Sequence, residues 1–168
     1  MASGKTTFGQ ALARRTGRQF VDLDQEIERR EGRTIPEIIA SDGEARFRQI
    51  ESMTLKSTVG MKNAVIACGG GTPCHRDNME FMTLHGVTLW LVASPERLAE
   101  RILEAGATRP LVAGKDPEEL DAFIRRHLLE RQPYYCRASL RLNSEHLETP
   151  EEIEATVDTF LQSQSKLK

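Results

Sequence analysis

Four short apolar runs, Gln19 to Leu23, Ala64 to Cys68, Val87 to Val92 and Leu140 to Leu142, stand out from a chain whose other positions mix charged and apolar residues. Most of these runs are apolar at consecutive positions, not at every second one. That pattern predicts strands buried on both faces, as in a parallel sheet. Between them lie helix-start signals at Thr34-Ile35-Pro36-Glu37, Ser94-Pro95-Glu96, Asp116-Pro117-Glu118-Glu119 and Thr149-Pro150-Glu151-Glu152. Each sets a capping side chain before a proline in the first turn, and three add the glutamate of a capping box. In the last helix Ile153, Val157, Phe160 and Leu161 share one stripe, predicted to dock on the sheet. Strands alternating with helices predict a three-layer α/β/α domain. No repeat or low-complexity linker divides the chain, so residues 1–168 read as one domain whose polar tail frays from Gln162.

Composition narrows what such a domain binds. With 39% hydrophobic and 29% charged residues, the 168-residue chain has the balance of a globular protein with a sizeable core. A net charge of −2 and an aromatic content of 5% provide neither the basic excess nor the stacking platforms that nucleic acid requires. No apolar run approaches the ~20 residues of a membrane span, and the first residues do not resemble a secretory signal. The expectation is a cytoplasmic monomer with neither nucleic acid nor membrane as partner. Cys68, Cys74 and Cys136 are odd in number and lack paired spacing, which argues against a disulfide framework. Cys74-His75 has no second ligand pair, so a buried thiol beside a loop imidazole is expected there, not a zinc site.

The candidate chemistry begins at Gly4-Lys5-Thr6-Thr7, which opens a helical stretch as the end of a phosphate-binding loop does. Gly4 lets backbone approach a phosphate, and the amides of Gly4 to Thr7 would point into the anion. Lys5 supplies a flexible point charge, and the Thr6 hydroxyl suits a magnesium shell of oxygen ligands. The motif is incomplete: its first glycine would fall two places before Met1, so the chain reads as cut or started inside the motif. At the end of the first predicted strand, Asp22 and Asp24 are expected to point to one side, with Leu23 packed on the other. One carboxylate could hold hydrated magnesium and the other orient or deprotonate a hydroxyl; alternatively, one of them merely caps the next helix. Gly69-Gly70-Gly71 follows the strand ending at Cys68 and frees backbone at the same sheet edge for close ligand approach. Arginine accounts for 17 of 23 basic residues, and Arg48, Arg109 and Arg131 stand where a fork for carboxylate or phosphate is useful. Arg109 lies in the glycine-flanked segment 105–116, which has the composition of a mobile lid.

Taken in order, these elements resemble the shikimate kinases, a family of P-loop small-molecule kinases. The resemblance spans essentially the whole chain: Gly-Lys-Thr-Thr at Gly4 to Thr7, Asp-x-Asp at Asp22 and Asp24, Asp-Gly-Glu-x-x-Phe-Arg-x-x-Glu from Asp42 to Glu51, three glycines from Gly69, Arg-Pro-Leu from Arg109 and Arg-x-Pro-x-Tyr from Arg131. It implies a P-loop kinase fold around a central parallel sheet, five strands in the family and four visible here. It implies ATP as phosphoryl donor, magnesium as cofactor and shikimate as acceptor, with residues about 25–59 forming the substrate-binding helical region. By the same resemblance Gly4, Lys5, Thr6 and Thr7 hold the phosphates, Thr6 and Asp22 serve magnesium, and Asp24 engages the accepting hydroxyl. Arg48 and Arg131 would clamp the shikimate carboxylate beside Gly70 and Gly71, and Arg109 would neutralise the transferring phosphoryl group. Arg101 and the region before Pro150 are placed near the adenine. Cys68 stands where the family has threonine. The family's first strand runs through the middle of its sheet, so a polypeptide beginning at Met1 is expected to fold poorly and turn over little substrate. The rival expectations are another small-molecule kinase, such as a gluconate kinase, and a non-catalytic nucleotide-dependent binding module.

Overall fold

The computed structural model describes residues 2–104 and 116–165. In chain order the elements are α1 (Lys5–Thr16), β1 (Gln19–Asp22), α2 (Leu23–Glu31), α3 (Ile35–Asp42), α4 (Glu44–Ser57), β2 (Ala64–Ala67), α5 (Asn78–His85), β3 (Leu89–Val92), α6 (Pro95–Glu104), α7 (Pro117–Tyr135), β4 (Leu140–Asn143) and α8 (Pro150–Ser165). All four predicted helix starts carry the expected caps. Thr34 and Glu37 form a reciprocal capping box, and Asp116 accepts the amide of Glu119 at 2.8 Å. Ser94 Oγ accepts the amide of Arg97, and Thr149 exchanges bonds with Glu152. These bonds satisfy amides that the first turn of a helix leaves unpaired.

Both strand pairings are parallel: Gln19 to Asp22 against Ala64 to Ala67, and Leu89 to Val92 against Leu140 to Asn143. The four strands therefore form two separate two-stranded sheets rather than one continuous sheet. A cavity of about 1150 Å³ lies between them, bordered by every residue of β2 and β3 and by none of β1 or β4. Successive strand residues point to opposite faces, so a space that meets all of them meets the strand edges. Helices α1 and α8 also border it, through Phe8 and Phe160 among others.

Three apolar clusters hold the helices. Leu23, Ile27, Ile38, Phe47, Ile50 and Leu55 fasten α2, α3 and α4 to one another. The stripe of α8 packs as predicted: Val157 is fully buried with Phe8, Ala11, Leu91 and Leu147, and Phe160 meets Phe8 edge-on at 5.7 Å. Leu98, Ile102, Leu120 and Ile124 join α6 to α7. Among the described residues no helix is long and apolar enough to cross a membrane.

Ile27 has no exposed surface, whereas Leu129 is 71% exposed. Ile27→Ala is expected to cost about 2–5 kcal/mol through lost transfer energy and a residual cavity. Leu129→Ala should stay within about 0.5 kcal/mol. Urea denaturation of the two variants checks both values.

Candidate active site

The phosphate loop enters α1 through Gly4, whose φ of 80° is left-handed and which contributes no side-chain cap. A β-carbon at Gly4 would come within 2.5 Å of Leu147 Cδ1, so both the conformation and the space demand glycine. The first turn of α1 contains no acidic residue. No acid of the helix's own offsets its amides and dipole there, which suits an anion site. Lys5 is partly buried, while Thr6 and Thr7 are exposed in that turn.

Thr6 Oγ1 donates to Asp22 Oδ2 at 3.1 Å, joining the start of α1 to the end of β1. The other oxygen of Asp22 accepts the amides of Asp24 at 3.1 Å and Gln25 at 3.5 Å. Asp22 is thus the cap of α2, and the expectation that strand alternation aligns Asp22 with Asp24 is corrected. The strand stops at Asp22, Leu23 turns into the core with no exposed surface, and Asp24 lies in the first turn of a helix. A capping aspartate ends a strand here because its oxygens satisfy amides that no ladder partner takes.

Asp24 remains beside the loop. Burial pushes its carboxyl above the ordinary value, the neighbouring Asp22 adds to that, and the Lys5 ammonium opposes it. Glu51 and Glu28 repel its charge more weakly. A β-carbon on Gly69 would lie 3.2 Å from Asp24 Oδ1 and 3.3 Å from Glu51 Oε1, so this glycine makes room where two carboxylates approach the turn. Glu51, only 1% exposed, closes the Asp42–Glu51 motif but has no role assigned to it from the sequence. It accepts the Thr72 hydroxyl at 2.6 Å and Arg48 Nη1 at 3.1 Å. The available signal was its place three residues after Arg48 on a helix, where side chains meet.

Arg48 is held on its other side by Glu44 at 3.0 Å and lies against Gly71, whose absent β-carbon would sit 3.1 Å from Nη1. Arg131 comes from α7. It borders the cavity, as does Gly70, and Tyr135, one turn further along α7, donates its hydroxyl to Gly70 O at 2.6 Å. Burial raises the Cys74 thiol against the opposing pull of Arg131 and Arg48, and it lowers His75 with Arg48 and Arg131 assisting. Both guanidiniums therefore act on the same short segment after the glycines. Burial pushes the Cys68 thiol up to about 12, so it stays protonated beside the acidic cluster. Arg109 lies outside the described residues.

A family model described as shikimate kinase matches residues 1–162. The chain belongs to the shikimate kinase family. Its relatives include shikimate kinases of Parabacteroides distasonis, 41% identical over 91% of this chain and 88% of that protein, and of Bacteroides thetaiotaomicron, 41% identical over 94% and 90%. The 1.7 Å crystal structure of the latter organism's shikimate kinase superposes with a TM-score of 0.95 at 39% identity, covering 98% of this chain and 94% of that one. A shikimate kinase of Acinetobacter baumannii, solved in complex with shikimate, superposes with a TM-score of 0.84 at 33% identity, covering 100% and 90%. The parallel pair of β1 and β2 brings the two aspartates and the glycine turn to the region where α1 begins.

Folding makes the Asp24 proton harder to remove, so ionising it costs stability as pH rises through its folded value, and that cost is absent below the unfolded value near 3.8. Asp24→Asn should accordingly melt higher than the unsubstituted chain at neutral pH. The gap should close on acidification into the ordinary carboxyl range. Thermal melts across pH measure it.

Proposed function

We propose that the chain transfers the γ-phosphoryl group of ATP to the 3-hydroxyl of shikimate, yielding shikimate 3-phosphate and ADP. The observation that carries this reading is the meeting of a cationic loop, a raised-pKa carboxyl and two guanidiniums around one glycine turn. The family and the acceptor seen in the Acinetobacter relative support the choice of substrate.

The roles follow from charge and position. Lys5 and the amides of Gly4 to Thr7 receive the phosphates of the donor. Thr6 Oγ1 and Asp22 Oδ2 are hard oxygens 3.1 Å apart, a donor pair suited to magnesium or its water shell. When bound there, the ion offsets phosphate charge. Asp24 receives or orients the proton of the attacking hydroxyl, and its upward shift brings it nearer the pH at which a general base works. Arg48 and Arg131 take the acceptor's carboxylate, with Gly70 and Gly71 allowing the ring to approach backbone. Arg48 is preset for this by Glu44 and Glu51, so little side-chain freedom is lost on binding. Arg109 is assigned to the charge that develops on the phosphoryl group. Alignment and electrostatic stabilisation are what phosphoryl transfer chiefly requires. The proposal includes action as a monomer, and small polar substrates suit a cytoplasmic setting.

The test is ADP release with magnesium–ATP in the presence of shikimate, of gluconate and of neither. Release driven by shikimate alone is expected; equal release with gluconate, or none with tight ATP binding, defeats the assignment. Arg48→Lys should raise KM for shikimate about tenfold, because an ammonium cannot replace a two-pronged contact. KM for ATP should hold. Arg109→Ala should act mainly on kcat, and an effect confined to KM would remove it from the transition state.

A further inference from the structure

Behind the glycine turn runs a ring of buried polar side chains, three of which have no part in the steps assigned so far. Asn78, the first residue of α5, has no exposed surface, and neither does Thr72. Ser52 and Glu51, neighbours on α4, are 4% and 1% exposed. Ser52 Oγ donates to Asn78 Oδ1 at 2.7 Å, and Asn78 Nδ2 donates to the carbonyl of Thr72 at 2.8 Å. The Thr72 hydroxyl donates to Glu51 Oε1 at 2.6 Å, and the backbone joins Glu51 to Ser52. The ring therefore closes, running from α4 to the segment after the glycines, on to α5 and back to α4.

A carbonyl oxygen only accepts, so the Asn78 nitrogen must face Thr72, and its oxygen is left to the Ser52 hydroxyl. Asparagine offers a donor and an acceptor on one short side chain, which neither aspartate nor leucine of similar volume can do. A polar residue at the start of a helix ordinarily faces water, and buried polar groups persist where their bonds are made. The ring meets the site at two points. Glu51 Oε2 accepts Arg48 Nη1 at 3.1 Å, and that nitrogen lies 3.1 Å from the place of a β-carbon on Gly71. A β-carbon on Gly69 would lie 3.1 Å from Thr72 Oγ1 and 3.2 Å from Asp24 Oδ1. The Thr72 amide also donates to Gly69 O at 3.1 Å, so moving Thr72 moves the glycine turn.

We infer that Asn78 is a positioning residue for the acceptor's carboxylate: it sets the Thr72 segment, Thr72 sets Glu51, and Glu51 aims the Arg48 guanidinium across the glycine turn. The inference rests on the acceptor role proposed for Arg48. A second link between the same two helices provides a contrast. Lys56 Nζ of α4 reaches both carboxylate oxygens of Asp77, the residue before α5, at 2.9 Å, but this pair is exposed and contains no member of the ring. Docking of α5 on α4 and aiming of Arg48 can thus be disturbed separately. The phosphate-loop residues Gly4 to Thr7 lie at the start of α1, so disturbing the ring should weaken acceptor recognition and spare donor binding.

The experiment compares the unsubstituted chain with Asn78→Asp, Thr72→Val, Ser52→Ala and Lys56→Ala, after thermal melts have confirmed folding. Asn78→Asp keeps the volume but turns an acceptor towards the Thr72 carbonyl. Thr72→Val keeps the shape and adds no charge, so it tests the proposal even if Asn78→Asp folds poorly. In both, KM for shikimate is expected to rise about tenfold, because a buried group that loses its partner no longer holds the next one in place. KM for ATP should hold. Ser52→Ala should give a smaller rise in the same direction, and Lys56→Ala should leave both constants within about twofold. A second readout needs no acceptor: the ¹⁵N NMR signal of the Arg48 Nε–H, assigned by its absence in Arg48→Lys, should exchange faster with water in Asn78→Asp and Thr72→Val. An unchanged Arg48 signal or unchanged KM for shikimate in the folded variants, an equal rise in both KM values, a Lys56→Ala effect as large as theirs, or the unfolding of both Asn78→Asp and Thr72→Val would overturn the inference. An altered Arg48 signal without shikimate-driven turnover by the unsubstituted chain would instead leave the ring's hold on Arg48 standing and defeat the acceptor assignment.

Discussion

Negative charge crowds the ends of β1 and β2, and the architecture of the site is a response to that crowding. Asp24 and Glu51 converge on the space left by Gly69, where a single β-carbon would touch both, and Asp22 adds its charge beside Asp24. Each carboxylate is made tolerable differently. Asp22 spends its oxygens on helix amides and the Thr6 hydroxyl; Glu51 is tied to Thr72 and Arg48; Asp24 is opposed by the Lys5 ammonium and yet holds its proton more tightly. The result is a graded set: Glu51 is tied on both oxygens, Asp22 is shared between helix amides and the Thr6 hydroxyl, and Asp24 is the one whose proton burial holds. Burial of unpaired charge is costly, and a chain retains it where chemistry requires it.

Much of this was legible in the sequence because it depends on local patterns. Consecutive apolar runs gave four strands in parallel pairs, and the cap signals at Thr34, Ser94, Asp116 and Thr149 marked four helix starts, since capping is decided by neighbours three residues away. The stripe on α8 followed from helical periodicity alone. Two features were harder. The side on which Asp24 points depended on where β1 stops, and strand alternation misled because Asp22 converts the next residues to helix. The pairing of strands two and two reflects which edges meet in space, and apolar runs carry no information about edges.

Glu51 and Glu148 show a further limit. Both are glutamates on or beside helices, where a charged residue ordinarily means a solvated face, and only the fold reveals that one is buried and the other spans two arginines. The motif that carries Arg48 also ends on Glu51, but a motif assigns no partner, and the bond by which this acid sets the direction of the guanidinium shows only in the fold. Reading outward from each functional cation to the carboxylate one helical turn away would have found it.

Tyr135 and Arg131 share α7, one turn apart, and Tyr135 is bonded to Gly70 while its ring leans on Trp90 of β3 at 5.6 Å. The Arg131 guanidinium and the glycine carbonyl are consequently coupled like two teeth on one rack. If α7 slides or tilts, the Tyr135 bond draws the Gly70 carbonyl along with Arg131, so on the proposed assignment the spacing between them survives movement of the helix.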